Sequence, residues 1–553
     1  MARHGGRVLV EQVHALGVER VFSVPGESFL AVLDGLHGSD VENVVCRHEG
    51  GAAMMAEATG KMTGRPGVVF VTRGPGATNA SSAIHVARQD STPLVMFVGQ
   101  VARAHRDREA FQELDYRAVF GSMAKWVAEV DQSERLPEYV ARAFRVAQSG
   151  RPGPVVLALP EDVLSAPCHA TLLPASPRPA PAVAAARVAE VLDMLSRAAR
   201  PLVVAGGPGW SAQAAADLER FAAAHDLPVA LTFRRQDYMD NGAEQYVGDL
   251  GVGMNPALAE RLKAADCLLL LGTRFGDVPS GGYALVTPEA QGKQIIHVHP
   301  DPDLPGSWLR TDLAVCATAP EMLRALCAAN APGDVPWGDW RRAARADYEA
   351  WQAPKETPGA VKMEQVVRWL SDNLPEDAIV TNGAGNYAAF VHRYFRFRRF
   401  GTQLAPTSGS MGYGFPAAVA AALRHPGRTV VCMAGDGDFQ MTLNEMSTAV
   451  QHGAAPVVIV ANNGRYGTIR MHQERTYPAR ISGTDLANPD FAALARAYGG
   501  HGEVVQDGAD FPAAFARAQA AGVVAVIELR LDGEALSTGL TLSEARRLGK
   551  GRR

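Results

Sequence analysis

The chain has 553 residues, of which 47% are apolar and 20% are charged, and its formal net charge is −4. This length is enough for about three or four domains, and the composition is that of an ordinary globular protein rather than a disordered or fibrous one. The small net charge gives no reason to expect a nucleic acid or an anionic membrane as a partner.

The N-terminus lacks the unbroken hydrophobic stretch of a signal peptide, because charged residues interrupt its apolar positions. Elsewhere no run of about 18 apolar residues is long enough to cross a membrane. The six cysteines show no CxxC spacing, and several lie in apolar runs, which indicates buried thiols in a reducing compartment. We therefore expect a cytoplasmic protein without a membrane partner.

Strand-like apolar runs alternate with helical stretches through three successive blocks, which predicts α/β architecture with parallel sheets. In the first block the predicted strands are 20–23, 41–46, 67–72, 94–99 and 154–158. In the second they are 201–205, 228–231, 267–271 and 294–299. In the third they are 378–381, 429–434, 457–461 and 523–530.

Two segments without clear periodicity separate these blocks. Residues 170–184 are rich in proline and alanine, which predicts a linker. Residues 330–358 contain clustered proline, glycine and tryptophan, and we predict a second linker that runs over the surface. The closing stretch, LSEARRLGKGRR, is basic and is predicted to be frayed.

In the third block, polar residues end two apolar runs. The run 429–434 leads into Gly-Asp-Gly at 435–437, an amphipathic segment follows, and the run 456–461 leads into Asn462 and Asn463. In a parallel strand–helix–strand unit the carboxyl ends of both strands lie side by side. A carboxylate and a carboxamide thus meet, and such oxygen ligands suit Mg²⁺ bound together with a phosphate. A strand, loop and helix with a chance aspartate is the alternative.

The GDG tripeptide, the spacer 438–461 and the asparagine pair together resemble the signature of thiamine diphosphate (ThDP) enzymes. The three blocks likewise resemble the pyrimidine-binding, central and diphosphate-binding domains of the decarboxylase-type members. The resemblance implies three doubly wound parallel-sheet domains, at residues 1–170, 185–330 and 360–540. It also implies that the side chains of Asp436 and Asn463 and the carbonyl of Arg465 bind Mg²⁺.

Glu49 lies in the segment RHEGGAA, residues 47–53, where a helix is expected to begin. A carboxylate in the first turn is ordinary, because it favours the positive end of the helix dipole. ThDP enzymes of this class, however, carry RHE followed by small residues, and their glutamate hydrogen-bonds the aminopyrimidine ring. The resemblance implies that Glu49 shares a proton with that ring, so that the cofactor acts as its own general base.

Residues 407–416, TSGSMGYGFP, form a glycine-rich turn before an alanine-rich helix. A tight turn alone would explain such glycines. Family members place a bulky apolar residue 25 positions before the GDG aspartate, and Met411 stands at that distance from Asp436. The resemblance implies that Met411 holds the cofactor bent, which brings its reacting atoms together. It also implies that main-chain groups of Gly409 and Met411 contact the pyrimidine.

Two loops are candidates for the diphosphate. The first, TNGAGNY at 381–387, follows an apolar run and precedes a helical pattern, so its amides could hold a phosphate at a helix N-terminus. The resemblance gives Gly385, Asn386 and Tyr387 as its contacts. Gly437 and Asp438 would form the second loop, although many relatives have serine at the latter position, and an acid beside a diphosphate needs a metal or a hydrogen bond.

Two segments narrow the resemblance to acetolactate synthase, namely RGPGATN at 73–79 and AFQE at 110–113. They imply that Phe111 and Gln112 lie on the substrate side of the reacting centre, with an ordinary surface loop as the alternative. Glu27, at the end of the first predicted strand, departs from the pattern. A carboxylate at that position would repel an anionic 2-oxoacid unless it is protonated or turned away.

The central block carries LGTRFGDV at 271–278 and IHVHPD at 296–301, which resemble the GARFDDR and IHxDIDP segments of acetolactate synthase. Arg274 could therefore contact FAD. However, Gly276 and Val278 replace an aspartate and a substrate-linked arginine, and His472 replaces a tryptophan that favours 2-oxobutanoate. The sequence thus leaves FAD open.

We therefore expect a ThDP- and Mg²⁺-dependent transferase or lyase, similar to acetolactate synthase, that forms or cleaves a carbon–carbon bond in 2-oxoacids or 2-hydroxyketones. A simple decarboxylase, a benzaldehyde lyase-like enzyme, and a ThDP-binding subunit without turnover are the alternatives. The resemblance also implies a homodimer or homotetramer in which Glu49 of one subunit faces the 381–465 region of another.

Overall fold

The computed structural model describes residues 3–178, 181–331, 333 and 335–551. Three six-stranded sheets follow one another along the chain, and all the strand pairs described are parallel. Helices connect the strands, as parallel pairing requires. The predicted fold class, α/β with three doubly wound parallel sheets, is confirmed.

The first sheet consists of β1 (Arg20–Ser23), β2 (Glu42–Val45), β3 (Gly67–Val71), β4 (Leu94–Gln100), β5 (Trp126–Glu129) and β6 (Pro154–Pro160). Its strand order is β2-β1-β3-β4-β6-β5. Alternate residues of β3 enter two separate cores, because successive side chains of a strand point to opposite faces: Val68 and Phe70 pack on one face, Val69 and Val71 on the other. The accompanying helices are α1 (Gly5–Ala15), α2 (Leu30–Leu36), α3 (Glu49–Thr63), α4 (Gly74–Asn79), α5 (Ser81–Asp90), α6 (Tyr116–Phe120), α7 (Leu136–Gln148) and α8 (Glu161–Ser165).

The second sheet consists of β7 (Pro201–Ala205), β8 (Val229–Thr232), β9 (Tyr246–Leu250), β10 (Cys267–Leu271), β11 (Gln294–His299) and β12 (Leu313–Cys316). Its order, β12-β11-β10-β7-β8-β9, is that of dinucleotide-binding sheets, with the reversal between β7 and β10. The accompanying helices are α9 (Ala185–Ser196), α10 (Ala212–Ala224), α11 (Pro256–Ala264), α12 (Ala319–Cys327) and α13 (Gly338–Trp351).

The third sheet consists of β13 (Ile379–Asn382), β14 (Gln403–Leu404), β15 (Val430–Gly435), β16 (Val457–Asn462), β17 (His501–Val505) and β18 (Ala525–Arg530). Its order is β14-β13-β15-β16-β18-β17, with the reversal between β13 and β15. The accompanying helices are α14 (Met363–Asn373), α15 (Asn386–Tyr394), α16 (Gly414–Arg424), α17 (Asp436–Phe439), α18 (Met446–Gln451), α19 (Gly467–Thr476), α20 (Phe491–Ala497), α21 (Phe511–Ala520) and α22 (Leu542–Gly551).

Short 3₁₀ helices cover Glu27–Phe29, Arg103–His105, Ser133–Arg135, Gln236–Tyr238, Leu443–Glu445 and Gly508–Asp510. The first and third sheets share one core, in which α3 packs against α16. All six cysteines are free thiols, and four of them are buried.

Two predictions of irregular structure were wrong. The segment 330–358 contains the helix α13, whose Ala344 and Tyr348 are buried in the central domain together with Trp337 directly before it. The last residues that the structure describes form α22 rather than a frayed end. The linker 170–184 has no helix or strand in its described residues before α9. Residues 1, 2, 179, 180, 332, 334, 552 and 553, which belong to the predicted domains, linkers and tail, lie outside the described residues.

Candidate active site

A cavity of about 230 Å³ opens at the carboxyl ends of β13, β15 and β16, and all its lining residues lie between Met363 and Leu536. Ligands of open α/β sheets bind at such a point, where the strand order reverses. The structure brings ten of the predicted site residues to this cavity: Gly385, Asn386, Tyr387, Gly409, Met411, Asp436, Gly437, Asp438, Asn463 and Arg465.

Asp436 begins α17 directly after β15, and its carboxylate is held by donors from three places in the chain. Oδ1 accepts from the amide of Gly437 at 2.9 Å, and Oδ2 accepts from the amide of Gly464 at 2.8 Å and from Nδ2 of Asn488 at 2.7 Å. Burial raises the pKa of Asp436, and these hydrogen bonds oppose the rise. A buried, oriented carboxylate of this kind fits a hard cation, which would offset the cost of burying its charge.

Asn463 follows β16 on the same side of the cavity and completes the set of oxygen donors with Arg465. Its Oδ1 accepts a hydrogen bond from the amide of Arg465 at 3.2 Å. Among the described residues no group of three or more His, Cys, Asp or Glu side chains could hold a metal. A carboxylate, a carboxamide and a main-chain carbonyl suit Mg²⁺ if a phosphate and water supply its other ligands.

The helix α15 offers the cavity free amides. It begins at Asn386, and its N-cap residue, Gly385, makes no side-chain capping hydrogen bond. The first amides of such a helix need other partners, and a phosphate is a suitable one. The Asn386 side chain accepts from Oγ1 of Thr468 at 3.0 Å, so α19 is connected to the same wall.

Asp438 is satisfied within the protein. Its Oδ2 accepts from the hydroxyl of Tyr387 at 2.6 Å, and Oδ1 accepts from the amide of Gly412 at 2.6 Å. Burial raises the pKa of Asp438 to about 6. The Asp438 carboxylate therefore connects the two loops of the cavity and holds the turn next to Met411.

The turn that carries Gly409 and Met411 is anchored from behind by a buried ion pair. Asp90 Oδ1 accepts from the amide and the hydroxyl of Thr407 at 2.8 and 2.5 Å, and Oδ2 accepts from Nζ of Lys61 at 2.5 Å. Although burial opposes ionisation, Lys61 and Arg235 hold the pKa of Asp90 below its usual range. Asp90 belongs to the first domain, Arg235 to the second and Thr407 to the third. The three domains therefore meet behind this turn.

Glu49 lies outside the cavity, at the start of α3. It is 8% exposed, and its Oε2 accepts from Nδ2 of Asn79 at 2.9 Å. Glu445 of the third domain holds the two residues before this helix, because its carboxylate accepts from the amides of Arg47 at 3.2 Å and His48 at 3.0 Å. A residue of the same chain thus fixes the main chain directly before Glu49.

Phe111 and Gln112 also lie outside the cavity. Phe111 is 72% exposed, and Gln112 adopts a left-handed conformation with a φ of 64°. A β-carbon built on Gly74, which follows β3, would lie 3.0 Å from the carbonyl oxygen of Gln112. The structure therefore separates the predicted residues into two sets, one lining the cavity and one at the carboxyl edge of the first sheet, and does not bring them together in one chain.

Sequence reasoning missed Asn488, Glu445 and Asp90. Asn488 bridges Asp436 and Asn462, but it lies in an irregular segment 52 positions beyond Asp436. Glu445 and Asp90 are buried carboxylates in segments with no motif. A buried charge must find partners, but nothing in the sequence shows that these charges are buried.

A second cavity lies near the reversal of the central sheet and is lined by Gly207, Arg274, Gly276 and Val278 among others. Arg274 donates to the carbonyl of Gln89 at 2.8 Å. His472, a further departure from the pattern, is exposed on α19. Among the helices described, none combines the length and the apolar character needed to cross a bilayer.

Three stretches of the chain match domains of one enzyme family. Residues 3–119 match the N-terminal TPP binding domain of thiamine pyrophosphate enzymes, residues 188–326 the central domain, and residues 383–529 the C-terminal TPP binding domain. Thiamine pyrophosphate (TPP) is another name for ThDP.

Relatives match over almost the whole chain. The acetolactate synthase isozyme 2 large subunit of Escherichia coli (strain K12) is 32% identical over 510 residues, which cover 90% of each chain. The acetolactate synthase large subunit of Parasynechococcus marenigrum (strain WH8102) is 32% identical over 91% of this chain and 83% of its own. That of Lactococcus lactis subsp. lactis (strain IL1403) is 30% identical over 90% of this chain and 87% of its own. The chain therefore belongs to the thiamine pyrophosphate enzymes, as a ThDP-dependent enzyme similar to acetolactate synthase.

Proposed function

We propose that this protein is a Mg²⁺- and ThDP-dependent carboligase that acts on small 2-oxoacids or 2-hydroxyketones in the cytoplasm. The observation that carries the proposal is the cavity of the third sheet, where Asp436, Asn463 and Met411 meet the free amides of α15. Its lining combines oxygen ligands for a metal, amide hydrogen-bond donors for a diphosphate and an apolar side chain that can pack against a ring of the cofactor.

Each group of the cavity has a proposed role. The side chains of Asp436 and Asn463 and the carbonyl of Arg465 hold Mg²⁺. Gly385, Asn386, Tyr387, Gly437 and Asp438 hold the diphosphate, directly or by fixing its loops, while main-chain groups of Gly409 and Met411 contact the pyrimidine and the Met411 side chain supports the bent cofactor. Bound ThDP supplies an acidic carbon that, once deprotonated, adds to a carbonyl group.

We propose that each active site is built from two subunits, in a homodimer or homotetramer. Glu49 is absent from the cavity of its own chain, yet the chemistry requires its carboxyl group within hydrogen-bond reach of the cofactor. The Phe111 ring is exposed in the single chain, so it is free to contact a second subunit. Glu49, Phe111 and Gln112 of one subunit would then face the cavity of the other.

FAD, if this chain binds it, is proposed to lie in the crevice of the central sheet. The dinucleotide-type strand order and Arg274 at this cavity support nucleotide binding. By the resemblance, however, Gly276 and Val278 stand where acetolactate synthase has an aspartate and an arginine. The absorption spectrum of the purified protein tests this: a colourless protein excludes bound oxidised flavin.

Incubation with pyruvate, ThDP and Mg²⁺, followed by product analysis, tests the proposed function. Acetolactate is the expected product. Acetaldehyde alone would identify a decarboxylase, and cleavage of 2-hydroxyketones alone would identify a lyase. If neither substrate is consumed although ThDP raises the unfolding temperature, the protein is a binding subunit without turnover.

The substitution Glu49→Gln tests the central catalytic role. We expect turnover to fall by about 100-fold or more, because the variant can no longer share a proton with the cofactor, while ThDP still raises the unfolding temperature. The control is Glu42→Gln, at the other end of the same sheet, which keeps its activity. Near-normal turnover of Glu49→Gln would contradict the assignment.

A further inference from the structure

An ion pair lies at the carboxyl edge of the first sheet, beside Glu49. Glu27 and Arg73 follow the neighbouring strands β1 and β3, and the Arg73 guanidinium donates to Glu27 Oε1 at 2.7 Å. The Arg73 side chain is 8% exposed, whereas the Glu27 side chain is 67% exposed. The charge of Arg73 is thus neutralised within the protein, and the Glu27 carboxylate is exposed to solvent.

Close contacts connect this pair to Glu49. A β-carbon built on Gly26 would lie 2.5 Å from Cβ of Thr72, and one built on Gly76 would lie 2.8 Å from Cγ2 of Thr72 and 3.0 Å from Oε1 of Glu49. The ends of β2, β1 and β3 are also adjacent in the sheet. Glu27 therefore belongs to the same surface as the predicted catalytic carboxylate.

Two arginines of this surface are already paired with carboxylates. Arg73 is paired with Glu27, and Arg106, which lies in the loop before Gln112, is paired with both Glu113 and Glu129. Neither arginine is left to bind a substrate carboxylate. The exposed oxygens of Glu27 can accept hydrogen bonds from hydroxyl groups, but they repel an anion.

We propose that Glu27, held in place by Arg73, is a specificity-determining residue that selects a neutral hydroxylated aldehyde or ketone over an anionic 2-oxoacid as the accepting substrate; this rests on the proposed function. In the reaction the donor loses CO₂ as its bond to the carboxylate breaks. Its carbonyl carbon then bonds to the carbonyl carbon of the acceptor, whose oxygen takes up one proton. Pyruvate, glycolaldehyde and a proton would give CO₂ and a dihydroxybutanone.

Glycolaldehyde and glyoxylate are a matched pair of acceptors, because glycolaldehyde has a hydroxymethyl group where glyoxylate has a carboxylate. With pyruvate as the donor, we expect kcat/KM to favour glycolaldehyde by about tenfold or more. Glu27→Gln should lower this preference by about tenfold, since the amide keeps an acceptor for Arg73 but loses the charge. Glu27→Asp should retain it.

The control is Glu42→Gln. Glu42 pairs with Arg20 at 2.6 Å, at the opposite end of β1 and β2, so this variant removes a comparable charge far from the surface and should keep the wild-type preference. A wild-type enzyme that prefers glyoxylate, or a Glu27→Gln variant with an unchanged ratio, would overturn the proposal.

A binding measurement separates this proposal from the proposed function. The Kd values of glycolaldehyde and glyoxylate for the enzyme loaded with ThDP and Mg²⁺, measured by calorimetry without a donor, require no turnover. The role of Glu27 is supported if the wild type binds glycolaldehyde more tightly than glyoxylate and if this preference is smaller in Glu27→Gln. A wild type that binds glycolaldehyde more tightly but consumes no donor would contradict the proposed function alone. The same ratio of the two Kd values in the wild type and in Glu27→Gln would contradict the role of Glu27.

Discussion

Glu445 is outside both sets of predicted site residues, yet it holds the main chain before Glu49. Its carboxylate accepts from the amides of Arg47 and His48 and from the hydroxyl of Thr448, the last at 2.5 Å. Burial raises its pKa, and these hydrogen bonds oppose the rise. We infer that Glu445 is a positioning residue, which acts through the orientation of Glu49.

The substitution Glu445→Ala should lower kcat by about tenfold or more with a smaller change in KM, because a catalytic group that is misplaced by about 1 Å loses rate. The amides left without a partner should also cost about 1–3 kcal/mol of stability. Steady-state kinetics and chemical unfolding measure the two effects. Glu445→Gln, whose amide oxygen can still accept, should recover part of the rate; equal rates in the alanine and glutamine variants would contradict a positioning role.

Asp438 shows what a single departure from a family pattern can mean. From the sequence it is an acid beside a diphosphate, and no hydrogen-bond donor that would compensate its charge can be identified. The structure supplies the compensation through Tyr387 and the Gly412 amide, both of which belong to segments that approach only in the folded chain.

At the scale of elements, the edge strands were harder to predict than the central ones. The sequence patterns located thirteen strands, with ends within about two residues of those observed, but missed β5, β9, β12, β14 and β17, and each of these lies at the edge of a sheet. A central parallel strand is buried on both faces and forms a continuous apolar run. An edge strand does not: β12 alternates between buried and exposed residues, and β17 contains a glutamate.

The helix α22 owes its order to a partner element. Arg546 donates to both carboxylate oxygens of Glu474 in α19, at 2.9 and 2.7 Å, and Leu542 packs against Met471. The neighbouring residues Thr468 and Ile469 of α19 line the cavity. A basic terminal stretch that is frayed in isolation thus becomes part of the structure that supports the site.

The substitution Arg546→Gln should loosen α22, since it removes both charge-assisted hydrogen bonds at a cost of about 1–3 kcal/mol. Amide exchange of residues 542–551 should become faster by about tenfold or more. Arg547→Gln, the same change at the adjacent exposed position, is the control and should exchange like the wild type. Unchanged exchange in Arg546→Gln would contradict the role of the pair.

The pair between Arg546 and Glu474 also predicts a pH dependence. Hydrogen bonding to Arg546 lowers the pKa of Glu474 to about 2, from an ordinary value of 4.5. The stabilisation is therefore present at neutral pH and is lost as the pH falls from about 4.5 towards 2. Exchange measured across this range in the wild type should converge with that of Arg546→Gln at the acidic end.

At the scale of the whole molecule, the separation of Glu49 from the cavity predicts complementation between inactive subunits. If each site takes Glu49 from one subunit and Asp436 from the other, a mixed dimer of Glu49→Gln and Asp436→Asn contains one intact site. Random mixing of equal amounts should restore about a quarter of the wild-type activity. The measurement is turnover after co-expression of two differently tagged chains.

The control combines Asp436→Asn with Asn463→Ala. Both changes lie in the same cavity, so no mixed dimer would contain an intact site and activity should stay absent. Recovery in this control, or its absence in the first mixture, would contradict a site shared between subunits.

The sequence by itself determined the three α/β domains in outline and the cavity of the third sheet. The reason is that Asp436 and Asn463 end neighbouring strands of one local unit, so their meeting follows from connectivity alone. Only the tertiary structure decided which residues support that site. Asn488, Glu445 and Asp90, the pairing of Glu27 with Arg73, and the docking of α22 all depend on contacts between distant segments, whose partners no local pattern specifies.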